Sequence, residues 1–422
     1  MDKIRKVKGT QDILPGESEK WLYLEGKVRA VMQAYGYREI RTPVFESTAL
    51  FSRGIGQLTD IVTKEMYTFE DRGGKSNTLK PEGTAPVIRA YLENGMANLR
   101  PVQKLYYISP MFRQENPQAG RFRQFHQFGA ELIGVPGPLA DVETILLALD
   151  IYKSVGLSSF KVKLNSVGDQ NCRAKYKQVL SSFLEPKLAA LCKSCQTRFA
   201  SNPMRILDCK KPPCQSAVEG APKMIDYLDE ASATHFKEVC DLLDLHEISY
   251  ELDSNLVRGL DYYTRTAYEI ISDDLGSQNA LCGGGRYDLL AEELGGRTTP
   301  SVGFAAGIER LLMVLASQDL LQDLASRNDV FIVALGEEAV RHGQRLSRSL
   351  RQQGLKVDLD FLGRSLKAQL KEANRTQTKY VIIIGESELE KRVAILRNLN
   401  DSEQREVAFD VLVDTCTSIF QD

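Results

Sequence analysis

The sequence has little that would tie it to a membrane. None of its apolar runs approaches the roughly 20 residues that cross a bilayer. The opening stretch Met1-Asp-Lys-Ile-Arg-Lys6 is polar and shows no apolar leader core. It also lacks a bulk charge. Lys and Arg number 54 against 56 Asp and Glu, a formal −2, so no overall basicity announces a nucleic-acid partner. These absences lead to the expectation of a cytoplasmic protein with no membrane partner and no DNA partner.

Eight cysteines are present, and in such a chain they read as thiols or metal ligands rather than disulfides. Four of them form Cys192-x2-Cys195 and Cys209-x4-Cys214. The outline is that of a zinc site, although the second pair is loosely spaced and encloses Pro212 and Pro213. Free structural thiols are the preferred reading, with zinc as the alternative.

A chain of 422 residues exceeds what one core supports. The pattern predicts a main domain over 1–325, a mainly helical insertion within it over 169–250, and a small α/β domain over 326–422. Residues 18–35 carry Trp21, Leu24, Val28, Val31 and Met32 close to helical spacing. Residues 37–43 read as a strand that ends at Pro43, which suits an edge. A hairpin is expected around 71–74, a helix from Thr84, strands over 105–108 and 125–133, and a helix over 141–152. After the insertion, strands are expected over 267–272 and 281–285, then a helix over 287–294. Residues 302–312 should run from strand into helix. Beyond a linker at 318–328, strands over 329–335, 356–359 and 380–384 alternate with helices over 339–353 and 366–374, which implies a largely parallel sheet. From Arg341 to Arg397 there are 13 Lys and Arg against 6 Asp and Glu, a local basic excess.

Two short segments carry the chemistry. Tyr107-Ile-Ser-Pro-Met-Phe-Arg-Gln-Glu115 ends a strand with an arginine and a glutamate two apart. Leu256-Val-Arg-Gly-Leu-Asp-Tyr-Tyr-Thr264 gathers an arginine, an aspartate and two tyrosines. Arginine grips phosphate through a planar fork that stays charged. Aspartate and tyrosine offer oriented acceptors and hydroxyls to a polar ligand. Alone, an Arg-x-Glu pair is usually a solvated surface pair. Together the two segments point to nucleotide-dependent activation of a small metabolite.

Three further motifs make the pattern specific. The helix and strand ending Arg41-Thr-Pro43 resemble motif 1 of the class II aminoacyl-tRNA synthetases. Phe112-Arg-Gln-Glu115 with Gly120-Arg-Phe-Arg-Gln-Phe125 resembles motif 2, and Gly303-Phe-Ala-Ala-Gly-Ile-Glu-Arg310 resembles motif 3. Leu256 to Tyr263 and Gly283-Gly-Gly-Arg-Tyr-Asp288 resemble segments particular to the histidyl-tRNA synthetases of bacterial type, and the resemblance runs the length of the chain. It implies an α+β catalytic domain with an antiparallel sheet, a helical insertion and a C-terminal α/β anticodon-binding domain.

The resemblance also implies roles. L-histidine, ATP and histidine tRNA would be the partners, ATP would come with Mg2+, no organic cofactor would be needed, and motif 1 would build a homodimer. Arg113 and Arg258 would take the α-phosphate, with Arg258 beside the histidine carboxylate, and Arg310 would take the γ-phosphate. Arg121 would also contact phosphate, and Glu115 the adenine or a bound cation. Glu82, Thr84 and Gln127 would accept the α-ammonium. Glu131 and Tyr263 would meet the imidazole nitrogens, with Tyr262 alongside. Gly283 and Gly284 would let backbone approach the substrate. Gln118 and Arg123 would touch the acceptor end of the tRNA. His126 stands beside this pocket with a positioning role open, while His235, His246 and His342 read as ordinary. The alternative is a non-catalytic, histidine-binding regulatory subunit of ATP phosphoribosyltransferase. Relatives of that kind usually lack the C-terminal domain and the phosphate-gripping arginines.

Overall fold

The computed structural model describes residues 3–56, 59, 61–118, 120–257, 260–273, 280–322, 324 and 327–421. Arg258 lies outside the described residues. The chain divides into two compact units, Met1–Leu324 and Ala325–Asp422.

The first unit opens with α1 (Ser18–Ala34), whose Trp21, Leu24, Val28 and Met32 are buried on one face. The strand expected over 37–43 is only β1 (Arg38–Glu39), with one further backbone bond from the Ile40 amide to the Tyr106 carbonyl at 2.8 Å. Next come β2 (Phe45–Ser47), α2 (Thr48–Gly54), β3 (Tyr67–Glu70), β4 (Ser76–Leu79) and α3 (Thr84–Glu93). β2, β3 and β4 form a small sheet in the order β2-β4-β3. β5 (Gln103–Phe112) and β6 (Gln124–Ile133) are a long antiparallel pair, with Phe112 opposite Gln124 at the end where the 113–123 loop joins them. α4 (Leu139–Ser154), β7 (Lys161–Ser166), α5 (Gln170–Leu184), α6 (Lys193–Ser201), α7 (Pro212–Val218) and α8 (Glu230–Leu245) follow. β8 (Tyr250–Leu252), β9 (Thr264–Ile271), β10 (Ala280–Arg286), α9 (Leu290–Glu293), β11 (Ser301–Gly307) and α10 (Ile308–Ser317) complete the unit.

Among the described residues its main sheet has eight strands in the order β1-β5-β6-β11-β10-β9-β7-β8. Only the outermost pairs, β1 with β5 and β7 with β8, run parallel. The antiparallel centre therefore presents one face to α1, α4 and α10 and keeps the other for a second apolar cluster. That cluster joins Tyr107, Tyr262, Tyr263 and Tyr287 to Tyr176, Leu180 and Ile206 of the helical stretch. The insertion thus shares a core with the face that carries the tyrosines.

In the second unit, β12 (Val330–Ala334), α11 (Glu337–Gln352), β13 (Val357–Leu359), α12 (Leu366–Arg375) and β14 (Tyr380–Ile384) alternate as expected. α13 (Glu386–Lys391), β15 (Val393–Asn398), β16 (Gln404–Ala408) and α14 (Phe409–Gln421) follow. The five-stranded sheet has the order β13-β12-β14-β15-β16. Its first three strands are parallel, but β15 and β16 are antiparallel, so the largely parallel sheet read from the sequence needs correction. β15 and β16 are joined by a short turn, a connection that only antiparallel neighbours allow.

Candidate functional site

A cavity of about 320 Å³ opens on the tyrosine-bearing face of the main sheet. It is lined by residues from five separate segments. The start of α3 contributes Glu82 and Thr84. The β5–β6 pair and its loop contribute Arg113, Glu115, Arg121 and Gln127. The segment before β9 contributes Tyr262 and Tyr263, β10 contributes Gly283, and the start of α10 contributes Glu309 and Arg310.

One side of the cavity is basic. Arg113 donates from Nε to the carbonyl of Pro81 at 2.9 Å and lies over the Phe125 ring at 5.2 Å. Arg121 donates to Glu115 Oε2 at 3.0 Å. Arg310 donates from Nε to the carbonyl of Gly120 at 3.1 Å and from Nη1 to that of Ala280 at 3.0 Å. Burial, with Arg121 and Arg113 nearby, lowers the Arg310 pKa from its usual value. Three guanidinium groups facing one cavity suit a polyanion, since each adds charge-assisted donors in fixed geometry.

The other side is polar and built on a helix start. The Glu82 carboxylate accepts the amide hydrogens of Thr84 at 2.7 Å and Ala85 at 2.9 Å, which satisfies free donors at the head of α3. Burial raises its pKa. Gln127 holds its side-chain carbonyl buried with no hydrogen-bond partner among the described residues. A buried acceptor of that kind wants a donor from a ligand. Tyr262 packs against Tyr263 at 4.8 Å and against Tyr287 at 5.6 Å.

Two expected contacts are placed differently. Glu131 does not border the cavity. It is fully buried beneath Gly303, accepting from the Thr84 hydroxyl at 2.8 Å and from the Tyr287 hydroxyl. Burial pushes its pKa up to about 8. Gly284 also stands back from the cavity: a Cβ there would meet the Tyr268 ring at 2.4 Å and the Gly303 carbonyl at 2.6 Å. Sheet packing therefore demands this glycine, while Gly283 faces the cavity. Gln118 and Arg123 sit on the 113–123 loop outside the cavity lining, Gln118 bridged to Arg121 and Arg123 donating to the Glu115 carbonyl at 3.3 Å.

Sequence reading passes over Glu309 and Tyr287. Glu309 accepts from both the backbone amide, at 2.9 Å, and Nδ1, at 3.0 Å, of His126, and Trp21 packs edge-on against the same imidazole at 4.9 Å. His126 thus anchors β6 to α10. Glu309 stands inside the motif-3 segment and Tyr287 inside Gly283 to Asp288, so each motif holds the signal without the partner.

An antiparallel sheet carrying this basic and polar cavity, in a chain with a second α/β unit, is the architecture of a class II aminoacyl-tRNA synthetase. The histidyl-tRNA synthetase family model matches residues 9–311, and an anticodon binding domain model matches residues 329–419. A protein named histidine–tRNA ligase from Desulfitobacterium hafniense is 52% identical over 404 residues, 96% of this chain and 95% of the relative. Another of that name from Desulforamulus reducens is 49% identical over 408 residues, 97% of each. The crystal structure of apo S. aureus histidyl-tRNA synthetase superposes with a TM-score of 0.84 at 41% identity, over 98% of this chain and 100% of that one. The chain belongs to the histidyl-tRNA synthetase family.

Proposed function

We propose that this chain activates L-histidine with ATP and passes the histidyl group to histidine tRNA. The observation that carries the reading is the single cavity in which Arg113, Arg121 and Arg310 face Thr84, Gln127 and Tyr263. In the first step a carboxylate oxygen of histidine attacks the α-phosphorus of ATP. The bond to the β-phosphate oxygen breaks, and pyrophosphate leaves. Negative charge builds on the α-phosphate as it does so. Fixed guanidinium groups stabilise that charge without reorganising, and positioning supplies much of the remainder. In the second step a terminal ribose hydroxyl of the tRNA attacks the carbonyl carbon, the acyl–phosphate bond breaks, and AMP leaves, its phosphate taking the hydroxyl proton.

Arg113 is assigned to the α-phosphate and Arg310 to the γ-phosphate. Arg121 is a further phosphate contact, and Arg258 is assigned from its motif alone. The family uses ATP with a divalent metal, and Mg2+ is the ion proposed. The carboxylates of Glu115 and Glu309 lie among the lining arginines, and oxygen donors suit a hard cation. When bound, the ion would neutralise phosphate charge. Gln127 and Thr84 are assigned to the α-ammonium and Tyr263 to the imidazole. Glu131 acts as a positioning residue through Thr84. The loop bearing Gln118 and Arg123 is assigned to the acceptor end, and the second unit, with its local basic excess over 341–397, to the anticodon stem–loop, where unstacked bases can be read.

A homodimer in the cytoplasm completes the proposal. Val44, Phe45 and Phe69 are exposed on and beside the small sheet, and such apolar surface suits a second copy. The regulatory alternative is less well supported, because the second unit is present and Arg113 and Arg310 keep their places. The test is exchange of labelled pyrophosphate into ATP. Exchange with histidine and no other amino acid supports the ligase reading. Histidine binding without exchange would sink it in favour of the regulator.

A further inference from the structure

The four cysteines of the insertion come together. Cys192 caps α6 and Cys195 lies in its first turn, Cys209 is in the following loop, and Cys214 lies in the first turn of α7. Their sulfur atoms all lie within 4.8 Å of one another, and none is in a disulfide. We propose that Cys192, Cys195, Cys209 and Cys214 bind one structural zinc ion that locks the 192–214 segment against the amino-acid side of the cavity.

The geometry fits the ion. Zinc–thiolate bonds of about 2.3 Å in a tetrahedron put sulfurs about 3.8 Å apart, so a small contraction closes the shell. Four protein ligands and no open position make such a site structural rather than catalytic. The Cys192 amide already donates to the Cys214 sulfur at 3.3 Å, the kind of outer bond that orients a metal-bound thiolate. Each thiol loses its proton on binding, so loading releases up to about four protons and leaves a net charge of about −2 on the site. Lys193, Lys210 and Lys211 adjoin the ligands in sequence and offset that charge.

Met204, Ile206 and Leu207 seat the segment in the second apolar cluster, but its own helices add little. Its helices are short, nine and seven residues, and helices that short are marginal without tertiary support. Between Cys195 and Cys209 it carries Asn202, whose side-chain amide donates to Asp261 at 2.8 Å. Asp261 is followed by Tyr262 and Tyr263, which line the cavity, and Arg173 of α5 donates to the carbonyls of Asp261 and Tyr263. A metal that fixes the segment thereby fixes the backbone leading into the histidine-binding tyrosines. This second half rests on the ligase reading; the metal itself does not.

The test begins with elemental analysis of the full chain purified without chelator. About one zinc per chain is expected, lost in Cys209→Ser and kept in Cys240→Ser, a thiol outside the cluster. Cobalt exchanged for zinc should give the intense visible bands of a tetrahedral tetrathiolate. A chain that holds no zinc, takes up no cobalt and shows the four thiols reactive in the folded state would overturn the proposal, whether or not Cys209→Ser folds. Asn202→Ala tests the link: it should keep its zinc and raise KM for histidine on the order of tenfold, as loss of one part-buried bond to a carboxylate would. An unchanged KM in that variant would overturn the coupling and leave the metal standing.

Discussion

The Arg286 guanidinium meets the Asp141 carboxylate across 145 residues of chain, and neither side chain is exposed to solvent. Arg286 also donates to the carbonyls of Val135 and Gly137, each at 2.9 Å. The imidazole Nε2 of His235 lies 3.3 Å from Oδ2 of Asp141, the same oxygen that Arg286 Nη2 meets. Burial acts to raise the Asp141 pKa, but His235 and Arg286 outweigh it and hold it below its usual value. Removing one partner strands a buried charge. Asp141→Ala should therefore destabilise the first unit by about 3–5 kcal/mol, read from urea unfolding. A loss under about 1 kcal/mol would show that the pair is not what closes α4 onto β10.

Arg113 tests the phosphate site. Its Nε bond to Pro81 and its seat over Phe125 need a planar fork, which lysine lacks. Arg113→Lys should lower histidine-dependent pyrophosphate exchange about 10²–10³-fold, the scale of losing one fixed donor to a developing charge. The melting temperature should move little. Exchange within a few-fold of the parent would remove Arg113 from the α-phosphate.

Glu131 sets a pH dependence. Burial raises its folded pKa to about 8 from an ordinary value of 4.5. The folded chain therefore keeps a proton that the unfolded chain gives up. Below about 4.5 both states hold it and the contribution is intact. As pH rises towards about 8, stability falls because folding must take up a proton. Glu131→Gln should flatten this slope, gaining stability relative to the parent between about pH 5 and 8 in denaturant titrations at several pH values. Parallel slopes would refute it.

Gly303 probes the packing over that carboxyl. A Cβ there would lie 1.9 Å from Glu131 Oε2 and 2.4 Å from the Ala130 carbonyl oxygen. The backbone oxygen cannot swing aside, so Gly303→Ala should destabilise by about 1–3 kcal/mol or more, with histidine affinity falling in parallel. Equilibrium unfolding and isothermal titration with histidine measure the two effects. A Gly303→Ala variant with unchanged stability would mean that β6 and β11 can part without harm.

Local pattern carries much of the fold. The buried face of α1 is legible because Trp21, Leu24, Val28 and Met32 recur at helical spacing. β15 and β16 are not legible in that way. Val393–Asn398 ends in Arg397 and Asn398, and only Val407 of Gln404–Ala408 is buried, so neither shows a clean apolar alternation. The cavity residues are legible as types within motifs, because arginines, glycines and tyrosines cluster there. Their partners are not. Tyr287 reaches Glu131 over 156 residues and Glu309 reaches His126 over 183, and no local spacing encodes such closure. The cysteines show the same limit: Pro212 and Pro213 argue against a metal by spacing alone, yet they open α7 and set Cys214 in its first turn.

Arg310 joins the Gly120 carbonyl on the 113–123 loop to the Ala280 carbonyl at the head of β10. If Arg310 also takes the γ-phosphate as proposed, one side chain would serve both as a buckle on that loop and as a hand for nucleotide. Any phosphate that turns the guanidinium towards itself weakens the buckle. Any tRNA end that repositions the loop shifts the hand by the same free energy, since linkage between two sites is reciprocal. On the proposed assignments the two substrates would therefore be in conversation before either reacts.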